Sequence, residues 1–191
     1  MTDLPRPAEG DRPVATVIRE LDALVGRDRF VAVCVDLLGG ADRTSYVPEL
    51  RYLTGHSWED GDPVRDPAVW RDYWVRTWGA RGLLYVWDDS AAPAVVAGLD
   101  DEHWRPGEMC LKVSTKREIG EAGPGAARLA VEGELPRVRV QALRTLGAVG
   151  DTEHVGVVRG RLDDDDPAVR RQAGRSLEQL ARRLDLPGLP D

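Results

Sequence analysis

The chain repeats itself. Val138-Arg139-Val140-Gln141-Ala142 returns as Val169-Arg170-Arg171-Gln172-Ala173, 31 positions later. Val75-Arg76-Thr77-Trp78-Gly79 lies 63 positions before Val138, two periods away, and Pro106-Gly107-Glu108-Met109-Cys110 is a weaker copy between them. A more degenerate copy runs through residues 30–40. A period of about thirty residues constrains the fold more than any other feature, because one such unit cannot bury its own apolar side and must stack on its neighbours.

Within each unit the spacing predicts a short helix, an acidic turn and a longer helix. The short helices are expected over 47–53, 91–99, 124–131 and 154–162, and the long ones over 66–87, 104–119, 136–149 and 167–184. Val138, Ala142, Leu146 and Val149 recur at helical spacing, as do Val169, Ala173, Leu177 and Leu180. Small residues at the centre of the stripe (Cys110, Ala142, Ala173) permit close approach between helices. Asp66-Pro67 and Asp166-Pro167 each offer a capping carboxylate followed by a proline at the first helical position. Nearer the N-terminus, residues 14–24 place Val14, Val17, Ile18, Leu21 and Leu24 on one helix side. Residues 30–38 are apolar almost throughout and read as a buried helix or a strand, with the helical surroundings favouring helix.

The motif Leu-Asp-Asp-Asp-Asp-Pro-Ala-Val-Arg-Arg-Gln-Ala at 162–173, and Leu-Asp-Asp-Glu-His-Trp-Arg at 99–105, resemble the HEAT repeat, and the resemblance extends over residues 75–185. It implies an all-α fold, a short right-handed α-solenoid of stacked antiparallel helix pairs. The expected organisation is an N-terminal tail (1–12), a helical cap with an acidic loop (13–65), HEAT-like repeats (66–185) and a C-terminal tail (186–191). The resemblance further implies that an acid of the inter-helix turn pairs with the arginine that follows the valine, forming a ladder between repeats. Asp164 and Arg170 fit that pattern. Gly107 stands in the arginine position of the unit that carries Asp101, and Gly133 stands in the acid position of the unit that carries Arg139, so a break in the ladder is expected mid-array.

Composition narrows the chemistry. The 33 acids outnumber the 26 bases, for a formal charge of −7. All bases except Lys112 and Lys116 are arginine, a bias read as the mark of a GC-rich bacterial genome. No run reaches the ~18 consecutive apolar residues of a membrane span. Residues 1–11 are polar and acidic, unlike a secretory leader, and Cys34 and Cys110 sit far apart in apolar segments. A cytoplasmic protein with reduced thiols is therefore expected.

No catalytic constellation emerges. His56, His103 and His154 show no metal-ligand spacing. Glu102-His103 and Glu153-His154 reverse the order of the dyads in iron-dependent hydroxylases built of similar repeats. Neither a phosphate-cradling glycine loop nor a Gly-x-Ser-x-Gly elbow is present. No metal and no cofactor is expected.

Two features suggest a binding face. Trp70, Trp74 and Trp78 recur every four residues, with Tyr73 beside them, and so share one side of a helix. They form either an exposed aromatic surface or a stripe packed under the N-terminal helices and the 54–65 loop. The long segments 66–87, 104–118, 136–149 and 167–185 carry 15 bases and 6 acids, whereas the rest of the chain carries 11 bases and 27 acids. If these helices line the concave side, as the resemblance implies, that side is basic and draws anionic partners. The candidate binding residues are Trp70, Arg71, Trp74, Trp78, Arg81, Trp104 and Arg144. The expected function is a non-catalytic scaffold for a protein partner, one with an acidic surface. The alternative is a HEAT-like DNA glycosylase or DNA-binding protein, in which Trp70, Trp74, Trp78 and Asp72 would face the nucleic acid. A chaperone for a small chromophore, resembling bilin lyases, is a third reading.

Overall fold

The computed structural model describes residues 4–8, 12–56 and 62–186, and every regular element among them is helical. The helices are α1 (Val14–Val25), α2 (Arg27–Leu38), α3 (Val47–Thr54), α4 (Asp72–Tyr85), α5 (Ala92–Ala97), α6 (Trp104–Arg117), α7 (Gly123–Glu132), α8 (Pro136–Val149), α9 (Val155–Gly160) and α10 (Pro167–Leu184). The chain divides into two compact units, Met1–Gly98 and Leu99–Asp191. The ends of both expected tails, and residues 57–61 of the acidic loop, lie outside the described residues.

In the first unit, the ambiguous apolar run is helix α2, and it packs along α4. Two glycines of α4 set the distance between them. A Cβ on Gly79 would stand 2.6 Å from the Cys34 carbonyl oxygen and 2.7 Å from the Leu38 nitrogen. A Cβ on Gly82 would stand 2.4 Å from Cys34 Sγ. Side chains as bulky as Phe30, Leu37, Leu50, Tyr52, Leu53 and Leu83 are fully buried around this contact. Gly55, at φ 76°, adopts the left-handed conformation that ends α3. Within the expected N-terminal tail, Leu4 is buried, and the Tyr52 hydroxyl donates to the Pro5 carbonyl at 2.6 Å.

The long helix expected over 66–87 is shorter, and a side chain from outside the segment ends its first turn. Asp66 caps a single turn, accepting from the Ala68 amide at its side chain and from the Trp70 amide at its carbonyl. The chain then extends at Arg71 (ψ 149°) before α4 begins. The buried Arg43 side chain takes the Trp70 carbonyl, together with the Val64 carbonyl and the Asp72 carboxylate. That carbonyl therefore points to a guanidinium instead of propagating the helix, and Trp70 and Arg71 lie ahead of α4 rather than on it.

In the second unit, α6, α8 and α10 lie side by side as one layer, and α7 and α9 pack behind α8 and α10. This is the stacking expected of a HEAT-like solenoid. The apolar stripes face inward: Val138, Ala142 and Leu146 of α8, and Val169, Ala173 and Leu180 of α10, are buried. Helices α8 and α10 start at the proline that the sequence marks. The Asp166 carboxylate caps α10 by accepting from the Ala168 and Val169 amides.

The junctions between long helices are fastened by one recurring bond. The Thr145 hydroxyl of α8 lies 3.1 Å from the Leu111 carbonyl of α6 and 3.0 Å from the Gln141 carbonyl of its own helix, and the Ser176 hydroxyl of α10 donates to the Leu143 carbonyl of α8 at 2.7 Å. Thr145 and Ser176 are 31 residues apart, as are the two copies of the repeat. Both side chains are fully buried, so each hydroxyl must find its partner inside the protein, and each has a main-chain carbonyl of the neighbouring long helix within reach.

The ladder differs from the expected pairing. The Asp164 carboxylate meets Arg139 of the preceding unit, in a two-pronged pair at 3.0 and 3.1 Å. Arg170 reaches instead the main-chain carbonyls of Asp164 and Asp165, at 2.6 and 3.0 Å. The reason is geometric. Each arginine sits in the first turn of its long helix and spans the carbonyls of the turn behind it, while the acid of that turn faces the unit before. Arg139 does the same with the Gly133 and Glu134 carbonyls, at 2.8 and 3.2 Å. The expected pairing of Asp164 with Arg170 inside one unit is thus corrected to a rung between units, and Arg139 has its acid after all.

Asp164 is buried, which pushes its carboxyl up, but the hydrogen bonds from Arg139 and the Asp166 amide, with the charges of Arg139 and Arg161, outweigh burial and hold it below the ordinary value of 3.8. A carboxyl depressed by folding stabilises the fold above its unfolded value and stops doing so as pH falls through the folded one. Acid titration of the wild-type chain, followed by circular dichroism, is therefore expected to show stability falling below about pH 4. Asp164→Asn should flatten that dependence, and Arg139→Ala, which removes the two-pronged partner and leaves Asp164 only the Asp166 amide and Arg161, should cost about 2 kcal/mol in urea unfolding at pH 7. Gly79→Ala is expected to destabilise by about 3 kcal/mol, because the obstructing atoms are backbone. Gly174→Ala in α10, where a Cβ meets nothing within 4 Å, should raise stability by about 0.5–1 kcal/mol in the same assay.

Candidate functional site

The expected binding residues fall in both units. In the first unit, Trp70, Trp74 and Trp78 do come together, but on one another. Their ring centroids are 5.4–6.2 Å apart, and Tyr73 stands 5.5 Å from Trp74. Trp78 is 5% exposed, while Trp70 and Trp74 are half-buried. Spacing alone pointed to a helical stripe; the break at Arg71 lets Trp70 fold back over Trp78, which a straight helix would not allow as closely. Arg71 is exposed. Arg81 is half-buried and donates to the Leu53 carbonyl, so its guanidinium ties α4 to α3, and desolvation lowers its pKa. Asp72, the acid of the nucleic-acid reading, is held by Arg43.

In the second unit, Trp104 and Arg144 sit at α6 and α8. Two guanidinium groups lie over the Trp104 ring, Arg105 at 4.4 Å and Arg137 at 4.9 Å from its centroid, with His103 stacked at 5.7 Å. Arg137 also grips the buried Glu108, with Nη2 and Nε at 3.0 and 3.2 Å from one oxygen, and Lys112 reaches that same carboxylate at 3.1 Å. Arg144 is exposed and donates to Gln172 at 3.2 Å, across the α8–α10 junction. Glu108, Lys112, Arg137, Val140, Arg144 and Asp166 line a shallow groove of about 430 Å³. Arg171 and Arg175 are exposed on α10, and Arg175 is the counterpart, one period on, of Arg144. Sequence reasoning singled out Arg144 and Trp104 but not Arg137 or Glu108, whose pairing depends on how α6 and α8 sit together; the Arg137 position beside Pro136 carried no signal of its own.

The groups with reactive potential among the described residues are engaged in the fold. Both cysteines are buried, and desolvation pushes both thiols up, away from the reactive thiolate. The His154 ring accepts from the Asp151 amide at 2.9 Å and completes a cap, rather than pairing with a nucleophile. Among the described residues no group of three or more His, Cys, Asp or Glu is placed to hold a metal ion. What the α6–α8–α10 face does offer is rigid, charge-bearing side chains braced by Glu108, Trp104 and Gln172.

Neither the curated proteins nor the solved structures include a match to this chain. The family model for HEAT repeats matches residues 124–189, the span of α7 to α10. HEAT repeats generally mediate protein–protein interaction. With the repeated helix pairs, the buried stripes and the ladder all in that span, residues 124–189 carry HEAT repeats.

Proposed function

We propose that the protein is a non-catalytic scaffold that binds a protein partner through the exposed face of α6, α8 and α10. The observation that carries this reading is the bracing of Arg137 and Arg144: each guanidinium is held at a neighbouring long helix while remaining exposed. A cation fixed in this way keeps little rotamer entropy to lose when a partner docks, so more of its interaction survives as affinity. Arg171, Arg175 and Lys112 add positive charge along the same layer, which suits a partner segment rich in acids. The self-packed tryptophans and the engaged Asp72 give no support to the nucleic-acid alternative. The same reading puts the chain in the cytoplasm; no helix among the described residues is long and apolar enough to cross a membrane.

Capture of partners from a lysate of the source cell, with the full chain as bait, tests the reading. Arg144→Glu combined with Arg175→Glu should reduce recovery of the captured protein at least tenfold while leaving the helical dichroism unchanged, and wild-type recovery should fall as salt is raised. Equal recovery by wild type and variant, or none by either, would refute it.

A further inference from the structure

Three cations stand at one level of the three long helices in the second unit. Arg144 follows Lys112 by 32 residues, and Arg175 follows Arg144 by 31. The junction contacts hold them in line. The Leu111 carbonyl lies 3.1 Å from the Thr145 hydroxyl, and the Leu143 carbonyl accepts from the Ser176 hydroxyl at 2.7 Å. Lys112 comes directly after Leu111, Arg144 stands between Leu143 and Thr145, and Arg175 directly precedes Ser176. Lys112 is half-buried, and Arg144 and Arg175 are exposed. The rows on either side lack this continuity: one turn earlier stand Glu108, Val140 and Arg171, and one turn later Lys116, Ala148 and Gln179.

The row keeps charge to offer. Lys112 shares Glu108 with Arg137, so two cations meet one carboxylate. Arg144 spends Nε and Nη1 on Gln172 and Gln141, at 3.2 and 3.5 Å, and its Nη2 has no partner among the described residues. Arg175 has neither a hydrogen bond nor an ion pair among them. Asp166, at the edge of the groove, is spent on the cap of α10.

Packed helices stand about 8–10 Å apart, so a ligand that meets all three cations carries its anions at that interval. A β-strand repeats a side at about 7 and 14 Å, which misses it. An α-helix repeats a side after seven residues, about 10.5 Å, but it is about 10–12 Å across and beds along a groove, whereas this row crosses the helices. Polyproline II repeats a side every third residue, at about 9 Å.

We propose that Lys112, Arg144 and Arg175 receive a polyproline II segment of the partner protein that carries a carboxylate at every third residue. The inference rests on the scaffold reading for the existence of a partner, and adds the backbone form and charge spacing of the segment that docks. Each carboxylate meets one cation. The preset backbone of such a segment, like the braced guanidinium of Arg144, has little freedom left to lose on binding.

The test is fluorescence anisotropy of labelled peptides titrated with the full chain at low salt. One peptide is Pro-Glu-Pro repeated three times, a second is its isomer with the three glutamates consecutive, and a third is an alanine-rich helix with glutamates seven apart. The spaced peptide should bind at least fivefold more tightly than either of the others. Arg144→Gln should weaken it at least fivefold and Arg175→Gln about threefold, with helical dichroism unchanged. Arg159→Gln, which removes the same charge from α9, should change it less than twofold. Equal affinity for the isomer, tighter binding of the helix, no saturable binding of the spaced peptide, or an equal loss in Arg159→Gln overturns the proposal. A chain whose capture of a partner depends on Arg144 and Arg175 but that does not discriminate the isomers keeps the scaffold role and loses this ligand.

Discussion

A helix of six to eighteen residues with apolar side chains along one edge has little stability alone in water. In the second unit each such edge is buried by the next helix pair, and the rest of the structure follows from that need. Stacking brings Thr145 to the Leu111 carbonyl, Ser176 to the Leu143 carbonyl and Arg139 to Asp164. These polar contacts do not drive the association, since each exchanges hydration for a partner at small net gain. They determine which register satisfies every buried group, and a slipped register would leave buried donors, acceptors and a carboxylate unpaired.

The same layering sorts the side chains of the long helices. The inward sides of α6, α8 and α10 are consumed by the core, so the sides left to solvent carry the charges. Braces such as Arg137 on Glu108 and Arg144 on Gln172 then turn flexible cations into positioned ones. The thiols are shut into the core and the His154 ring is spent on a cap.

Much of this was legible from the amino acids. The 31-residue echo, with Pro136 and Pro167 opening their helices, located α8 and α10 to the residue, because period, cap and breaker all agree there. Residues 66–87 misled because the cap signal at Asp66-Pro67 is real but closes only one turn; the interruption comes from Arg43, 27 residues upstream of Trp70, and no local pattern reports it. The ladder's arginines and acid were visible, yet whether an acid turns to its own unit or the preceding one depends on the packing of two units. Trp70, Trp74 and Trp78 were found by spacing, whereas their collapse onto one another depends on the bend at Arg71.

The hydroxyl bond at each junction has a consequence for how such a chain grows. Its acceptor is a main-chain oxygen, which every residue possesses, so only the donor must be specified. A unit bearing its own Thr or Ser therefore brings its fastening with it and can attach to whatever long helix precedes it. Duplication, loss or exchange of a whole module keeps this contact available at the new seam, whereas a rung such as Arg139–Asp164 needs both of its partners supplied.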